Sequence, residues 1–140
     1  METIFYPVKT DLRIDWSDLD SFGHVNNLSI LRYAQSARVK YLEKVGLMQM
    51  HHDTKVGPIL ASCKCDFKKP LFYPGHAIVY SSIPFIKNTS FGFIHKITNS
   101  EDEIIAEAQD IIVVYDFNTD RKVQVPQVIR ERIEKLEKRI

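Results

Sequence analysis

The sequence predicts an α+β domain: a five-stranded antiparallel sheet wrapped around one long helix, with a short helix near the C-terminus. Three features of the chain point there. VKTDLRIDW alternates apolar and polar residues, the stretch from Asn27 to Val45 switches to steps of three and four, and four later segments return to strand patterning between turn residues.

In the first stretch Val8, Thr10, Leu12, Ile14 and Trp16 share one face, and Lys9, Asp11, Arg13 and Asp15 share the other, as in a half-buried strand. In the second, Ile30, Ala34, Ala37, Tyr41 and Val45 form the apolar stripe of a helix of about five turns. Asn26 or Asn27 suits its N-cap, because an asparagine side chain accepts a hydrogen bond from a first-turn N–H. Gly46 suits its stop. Ala34 and Ala37 allow close approach to a packing partner, and a sheet is the only large one the chain offers.

ILASCKCDFKK places Ile59, Ala61, Cys63, Cys65 and Phe67 on one face against Ser62, Lys64, Asp66 and Lys68 on the other, and PLFYPG supplies turn chemistry. AIVYSSIPFI and SFGFIHKIT are the next two strands, with KNT as their hairpin, and EIIAEAQDIIVVYDF is apolar enough near its end for a central strand. After the turn NTDR, Pro126 opens an amphipathic segment with Ile129, Ile133, Leu136 and Ile140 in one stripe. The outer side of the sheet and the terminal helix are left without cover, which predicts a homodimer or homotetramer.

A chain of 140 residues, 44% of them hydrophobic, supports one domain spanning residues 1–140. With 19 Lys and Arg against 18 Asp and Glu, bulk charge gives no reason to expect a nucleic-acid or membrane partner. METIFYPVKT lacks a basic segment followed by an apolar core, and no apolar run approaches the ~18 residues of a spanning helix, so the expected location is the cytoplasm. Cys63 and Cys65, one residue apart on a strand, point to the same side and are expected as reduced, buried apolar filler. They lack partners at ligand spacing, and His51 to Asp53 is expected as a solvated loop, so neither a metal nor a cofactor is expected.

The most unusual stretch is DLDSFGHVNN, Asp18 to Asn27, which crowds two carboxylates, a glycine, a histidine and two asparagines just before the long helix. Such a concentration suits a small reaction site at a helix N-terminus. Together with the helix after it, DWSDLDSFGHVNNLSILRYAQSARVKYLEKVGL resembles the motif and central helix of hotdog-fold thioesterases of the 4-hydroxybenzoyl-CoA thioesterase type, whose pattern is D-x-D-x-x-G-H-V-N-N. IAEAQDIIVVYDFNTDRKVQVP resembles the family's last long strand, turn and proline exit, so the resemblance spans roughly residues 8 to 127. It implies the hotdog fold and an acyl-CoA thioesterase. It also implies Asp20 as catalytic carboxylate, a backbone N–H of Asn27 facing the thioester carbonyl, and Gly23, His24 and Asn26 as motif residues around the substrate. Ile30, where the family often has an aromatic residue, and His76, where it has an acidic one after the PG turn, depart from the pattern.

Thioester hydrolysis needs a group that attacks the carbonyl or helps water attack it, and donors where charge gathers on oxygen. A carboxylate beside an apolar pocket is less well solvated and more reactive, so Asp20 can be nucleophile or general base. First-turn N–H groups, with Asn27 foremost, and the positive end of the helix dipole would meet the oxyanion. Asp18 is expected to make turn and capping hydrogen bonds. The helix carries one glutamate, Glu43, near its C-terminal end, which favours the aspartate variant of the chemistry, while Gln35 and Ser36 can line the pocket. No G-x-S-x-G, phosphate loop or H-E-x-x-H is present. Lys87 and Ser90, with Thr89, lie at a turn that in similar enzymes is close to bound CoA, and Lys68, Lys69, Arg121 and Lys122 are further candidates for its phosphates. An acyl-carrier-protein thioesterase and a non-catalytic acyl-CoA-binding module are the alternatives.

Overall fold

The computed structural model describes residues 4–139. Its elements are β1 (Val8–Arg13), a 3₁₀ turn (Trp16–Asp18), α1 (Asn27–Lys44), α2 (Leu47–Thr54), β2 (Val56–Phe67), β3 (His76–Ile86), β4 (Ser90–Thr98), β5 (Ile104–Asp116), a two-residue β6 (Arg121–Lys122) and α3 (Gln127–Leu136). The five long strands are ordered β1-β3-β4-β5-β2, every neighbouring pair is antiparallel, and β6 adds to β5. The sheet curls around α1, which lies against β1, β3 and β4. Ile30, Ala34, Ala37, Tyr41 and Val45 are all buried in that contact, as the stripe requires. Among the described residues no helix is long and apolar enough to cross a membrane.

The core has two apolar clusters. One gathers Tyr41, Leu42, Phe91 and Phe93 under the second half of α1 with Ile129 and Ile133 of α3. The other gathers Ile30, Tyr33, Ala34, Val79, Ile97 and Ile105 under its first half. Between them runs a buried polar chain: Ser81 Oγ to His95 Nδ1 at 2.8 Å, His95 Nε2 to Asp110 Oδ2 at 2.7 Å, and Arg38 Nη1 to the same oxygen at 3.1 Å. Burial alone would lift the Asp110 carboxyl, but the hydrogen bond and charge of His95 and the Arg38 guanidinium outweigh it and hold it below the usual carboxylate range.

Four expectations are corrected. Trp16 is 72% exposed, because the chain leaves the sheet after Ile14 and Asp15 caps a 3₁₀ turn, its Oδ1 accepting from the Ser17 N–H at 2.9 Å. Residues 47–54 are a helix rather than a loop: Gly46, at φ +84°, ends α1 and starts α2 directly. His51 is half-buried, edge-on to Phe117 with ring centroids 5.1 Å apart, and it occupies the space a side chain at Gly57 would need.

Cys63 and Cys65 are free, as expected, yet Cys63 is exposed and Cys65 half-buried. β2 is an edge strand beyond most of α1, with a bulge between Leu60 and Ser62, so most of its inner face lacks a covering layer. Finally, Ile129 and Ile133 of α3 are fully buried and Leu136 packs beside them on their own chain's core, so this stripe gives no reason for an oligomer. Ile140, expected in the same stripe, lies outside the described residues.

Candidate active site

Local hydrogen bonds build the loop between β1 and α1 from its ends inward. The Ile14 N–H donates to Gly75 O at 2.9 Å and the Val25 N–H to Leu71 O at 2.8 Å, which pins the loop against the segment leading into β3. Asp18 is its hub. Its Oδ2 accepts from the Tyr33 hydroxyl at 2.6 Å and the Asp15 N–H at 3.0 Å, and its Oδ1 accepts from Arg32. Its carbonyl accepts the Asn26 N–H at 2.9 Å and Ser29 Oγ at 3.2 Å. Burial pushes the Asp18 carboxyl up, but the hydrogen bonds from Tyr33, the Asp15 backbone and Arg32 prevail and leave it lowered. Asp18 thereby ties the loop to the first turns of α1, in line with a structural role.

Asp20 sits in a tighter turn within that frame. Its N–H donates to His24 O at 2.9 Å, its carbonyl accepts the Gly23 N–H at 3.2 Å, and Oδ1 accepts the Phe22 N–H at 2.9 Å. Gly23 takes φ +89°, a conformation that disfavours any side chain, although a Cβ there would meet nothing within 4 Å. The turn brings His24 Nδ1 to 3.6 Å from Asp20 Oδ2, and leaves the Asp20 side chain 24% exposed. The imidazole stands between Phe22, roughly parallel with centroids 6.4 Å apart, and Phe72, edge-on at 6.1 Å.

Helix α1 starts beside this turn. Asn26 is its N-cap, and Asn26 Oδ1 accepts the Leu28 N–H at 2.9 Å. The Asn26 and Ser29 N–H groups are also taken, by Asp18 O and Asn26 O at 2.9 Å each. Among the described residues the Asn27 N–H has no acceptor, and it is the one first-turn donor left over. The first turn holds no acidic residue to neutralise the positive end of the helix dipole. A cleft of about 220 Å³ opens at this point, lined by His24, Asn27 and Ile30 on one side and by Phe67, Lys68 and Pro70 on the other. Asp20 does not line it and is linked to it through His24, whose Nδ1 stands 3.6 Å from Asp20 Oδ2.

Asp20, Gly23, His24, Asn26 and Asn27 are thus brought together. Lys87 and Ser90 are not: they close the hairpin at the far end of β3, where Lys87 Nζ lies 5.5 Å from the centre of the Phe85 ring and Lys87 O accepts from Arg130 at 2.7 Å. The opposite end of β3 pairs with β1 beside the motif, roughly 30 Å away along an eleven-residue strand. Lys68 and Lys69, only further candidates in the sequence, both line the cleft, and Lys69 pairs with Glu103. Phe67, Pro70 and Phe72 had no signal of their own, since they come from a segment some forty residues downstream that periodicity assigns to a strand end and a turn.

The comparisons with known proteins agree with this architecture. A sequence model of the thioesterase-like superfamily matches residues 14–133. The long-chain acyl-CoA thioesterase FadM of Escherichia coli (strain K12) is 21% identical over 133 residues, 94% of this chain and 100% of that protein. A thioesterase from Thermus thermophilus, solved with coenzyme A and Zn, superposes with a TM-score of 0.86 at 26% identity, over 96% of this chain and 97% of its own. A 1,4-dihydroxy-2-naphthoyl-CoA thioesterase from Synechocystis shares the fold, with a TM-score of 0.81 at 19% identity over 90% and 94% of the two chains.

Proposed function

Since the chain belongs to the thioesterase-like superfamily, and is a thioester hydrolase of hotdog fold, we propose that it cleaves acyl-CoA to free acid and CoA with Asp20 and the Asn27 N–H as its working groups. The observation that carries this reading is the single unpaired first-turn donor, Asn27 N–H, opening on the same cleft as the histidine that contacts Asp20. A thioester carbonyl seated there points its oxygen at the donor and at the positive end of α1. As the tetrahedral centre forms, charge on that oxygen is met by groups already in place.

Asp20 supplies the attack, either directly, giving a mixed anhydride that water then opens, or by taking a proton from water as it adds to the carbonyl. The sulfur leaves as thiolate. The Phe22 N–H bond to Oδ1 holds the carboxylate's orientation and leaves Oδ2 facing His24. His24, bracketed by two aromatic rings, orients the carboxylate or the substrate. Lys68 is the cation that the cleft offers to the CoA phosphates, whereas Lys87 and Ser90 serve them only across a subunit boundary.

A homodimer or homotetramer fits the uncovered inner face of β2, where Phe67 is 43% exposed, and Leu28 at the start of α1, 72% exposed. The working location is the cytoplasm. Thiol release from a panel of aromatic and aliphatic acyl-CoAs tests the assignment. Asp20→Asn should lower the best rate at least a hundredfold while the circular dichroism spectrum stays unchanged, and equal rates would remove Asp20 from the mechanism. Tight binding without turnover would mark a binding module, and turnover of an acyl group on acyl carrier protein but not on CoA would change the donor.

A further inference from the structure

The end of α1 remote from the candidate site carries a surface that the chemistry above does not use. A groove of about 630 Å³ lies between the last turn of α1 and α3, lined by Lys44, Val45, Arg132, Lys135, Leu136 and Lys138. Its floor is apolar, since Val45 is buried and Leu136 half-buried on the core cluster beneath. Its rim is cationic: Lys44, Arg132, Lys135 and Lys138 are all exposed, and among the described residues no carboxylate forms an ion pair with any of them. Lys40, one turn before Lys44 on α1, is exposed as well. Lys138 Nζ stands 4.7 Å from the centre of the Phe5 ring, so Phe5, 44% exposed, borders the groove there, with Ile4 next to it.

The nearby glutamates do not neutralise this rim, because the fold turns them elsewhere. Glu131 accepts from Gln127 at 3.1 Å, Glu134 lines a separate cleft with Ile86, Arg130 and Arg139, and Glu137 accepts from Tyr41, Ser82 and Ile83. Glu43 is exposed on α1 outside the groove. Arg132 is tethered, its Nη1 donating to Val45 O at 3.2 Å, which places its charge with that of Lys44 at the negative end of α1. The balance of 19 cations against 18 carboxylates therefore hides a segregation: the chain's formal charge is +1, so five cations on one face leave the rest of the molecule net acidic. Such a charge distribution turns this face toward an anionic surface.

The pattern selects among occupants. A second copy docked about a two-fold axis would set the four rim cations against their own counterparts. A nucleic acid leaves the apolar floor, Phe5 and Ile4 without partners, and a lone carboxylate leaves most of the rim unanswered. A bilayer leaflet with acidic headgroups answers both. Its headgroups meet ammonium groups whose stems lie along the groove, while exposed apolar side chains reach the acyl boundary.

We propose that this face docks the protein on membrane surfaces rich in acidic phospholipid, with Lys44, Lys135 and Lys138 as headgroup contacts and Phe5 as a shallow apolar anchor. Asn27 lies about 26 Å away along α1, so the docked face and the cleft occupy opposite ends of the helix.

Co-sedimentation of the full chain with vesicles tests this. Phosphatidylcholine vesicles with about a third phosphatidylserine should bind it roughly tenfold or more tightly than pure phosphatidylcholine. That binding should fall about tenfold or more between roughly 0.1 M and 1 M salt, as the screening length shrinks from about 10 Å to about 3 Å. Each cation near an acidic leaflet is worth roughly fivefold, so the triple variant Lys44→Gln, Lys135→Gln, Lys138→Gln should bind about a hundredfold more weakly. Phe5→Ser should weaken binding severalfold, by a factor that salt does not change. Melting temperature and turnover of a short-chain acyl-CoA should match the wild type in both variants; a wild type that docks without turnover would count against the hydrolase reading alone. Equal binding to the two kinds of vesicle, or unchanged affinity in the triple variant, overturns the proposal. So does binding of a single-stranded RNA oligonucleotide or of laurate in the absence of vesicle binding.

Discussion

Asn27→Pro removes the N–H of the proposed oxyanion site, together with a carboxamide at the cleft that makes no hydrogen bond among the described residues. Proline has no N–H, and at the first position of a helix that donor is not needed for the helix itself. The Asn27 N–H has no acceptor among the described residues, so no hydrogen bond of the fold is lost. The preceding residue is also ready for proline: Asn26 sits at φ −62° and ψ +141°, the extended conformation that a following pyrrolidine ring requires. Asn26 keeps its own bond to the Leu28 N–H at 2.9 Å, so the cap survives. Stability should therefore change by less than about 1 kcal/mol.

Catalysis should not be spared. Removing one preorganised donor to an oxyanion costs about 2.7–4 kcal/mol, or a factor of about 10² to 10³ in kcat. The ratio of kcat lost to KM changed is the informative readout, since the donor is worth most once charge has formed on oxygen. Thiol release under saturating acyl-CoA, with melting followed by circular dichroism on the same preparation, measures both sides. A folded Asn27→Pro enzyme within threefold of the wild-type kcat would refute the assignment of that N–H, whatever Asp20 does.

Other perturbations test the frame around the site. The Asp18 carboxyl is held below its ordinary value in the folded state, so its stabilisation is present above the unfolded value of about 3.9 and is lost as pH falls through the folded one. Asp18→Asn should be clearly less stable than wild type in urea at pH 7, and the gap should narrow by pH 3; a constant gap would contradict the ion-pair account. Glu137 accepts from Ser82 Oγ at 2.7 Å, the Ile83 N–H at 2.9 Å and the Tyr41 hydroxyl, where the pairing of β3 with β4 is irregular. Glu137→Ala should cost about 2–4 kcal/mol by stranding those donors, Glu137→Gln should fall between, and differential scanning calorimetry orders the three. A Cβ at Gly57 would stand 2.4 Å from His51 Nδ1 and 2.5 Å from His51 Cβ, so Gly57→Ala should destabilise by about 1–3 kcal/mol, seen as an earlier urea midpoint.

The long strands and α1 were legible because each carries its own period over many residues. The α1 stripe is the clearest case, with every expected position buried. α2 was not legible: of its eight residues only Leu47 is fully buried, with Met48 and Met50 partly so, which is too short a stripe to read, and Gly46 looks like an end rather than a junction. The cysteines show a different limit. Alternation tells which side chains share a face of β2 only as far as the bulge, beyond which Ile59, opposite Val113, lies on the other face from Cys63, opposite Asp110, and it carries no information on whether another layer covers a face. The candidate loop was legible as a cluster, while the cleft's second wall, Phe67 to Pro70, was not, because the cleft is made by segments some forty residues apart. Lys87 and Ser90 looked close to the site only by resemblance, and an eleven-residue strand separates them from it within one chain.

Local chemistry is what the sequence alone determined here: where the backbone repeats at two or at 3.6 residues, where it must turn, and which ten residues hold reactive groups. Those properties depend on neighbours within a few bonds. Tertiary packing alone decided which first-turn N–H stayed free, because the answer lies in which acceptors Asp18 and Asn26 bring to the others. It also decided that Arg38, His95 and Asp110, on three separate elements, meet as one buried polar chain, for burial and pairing energies are set by what the fold places within a few ångströms and not by distance along the chain.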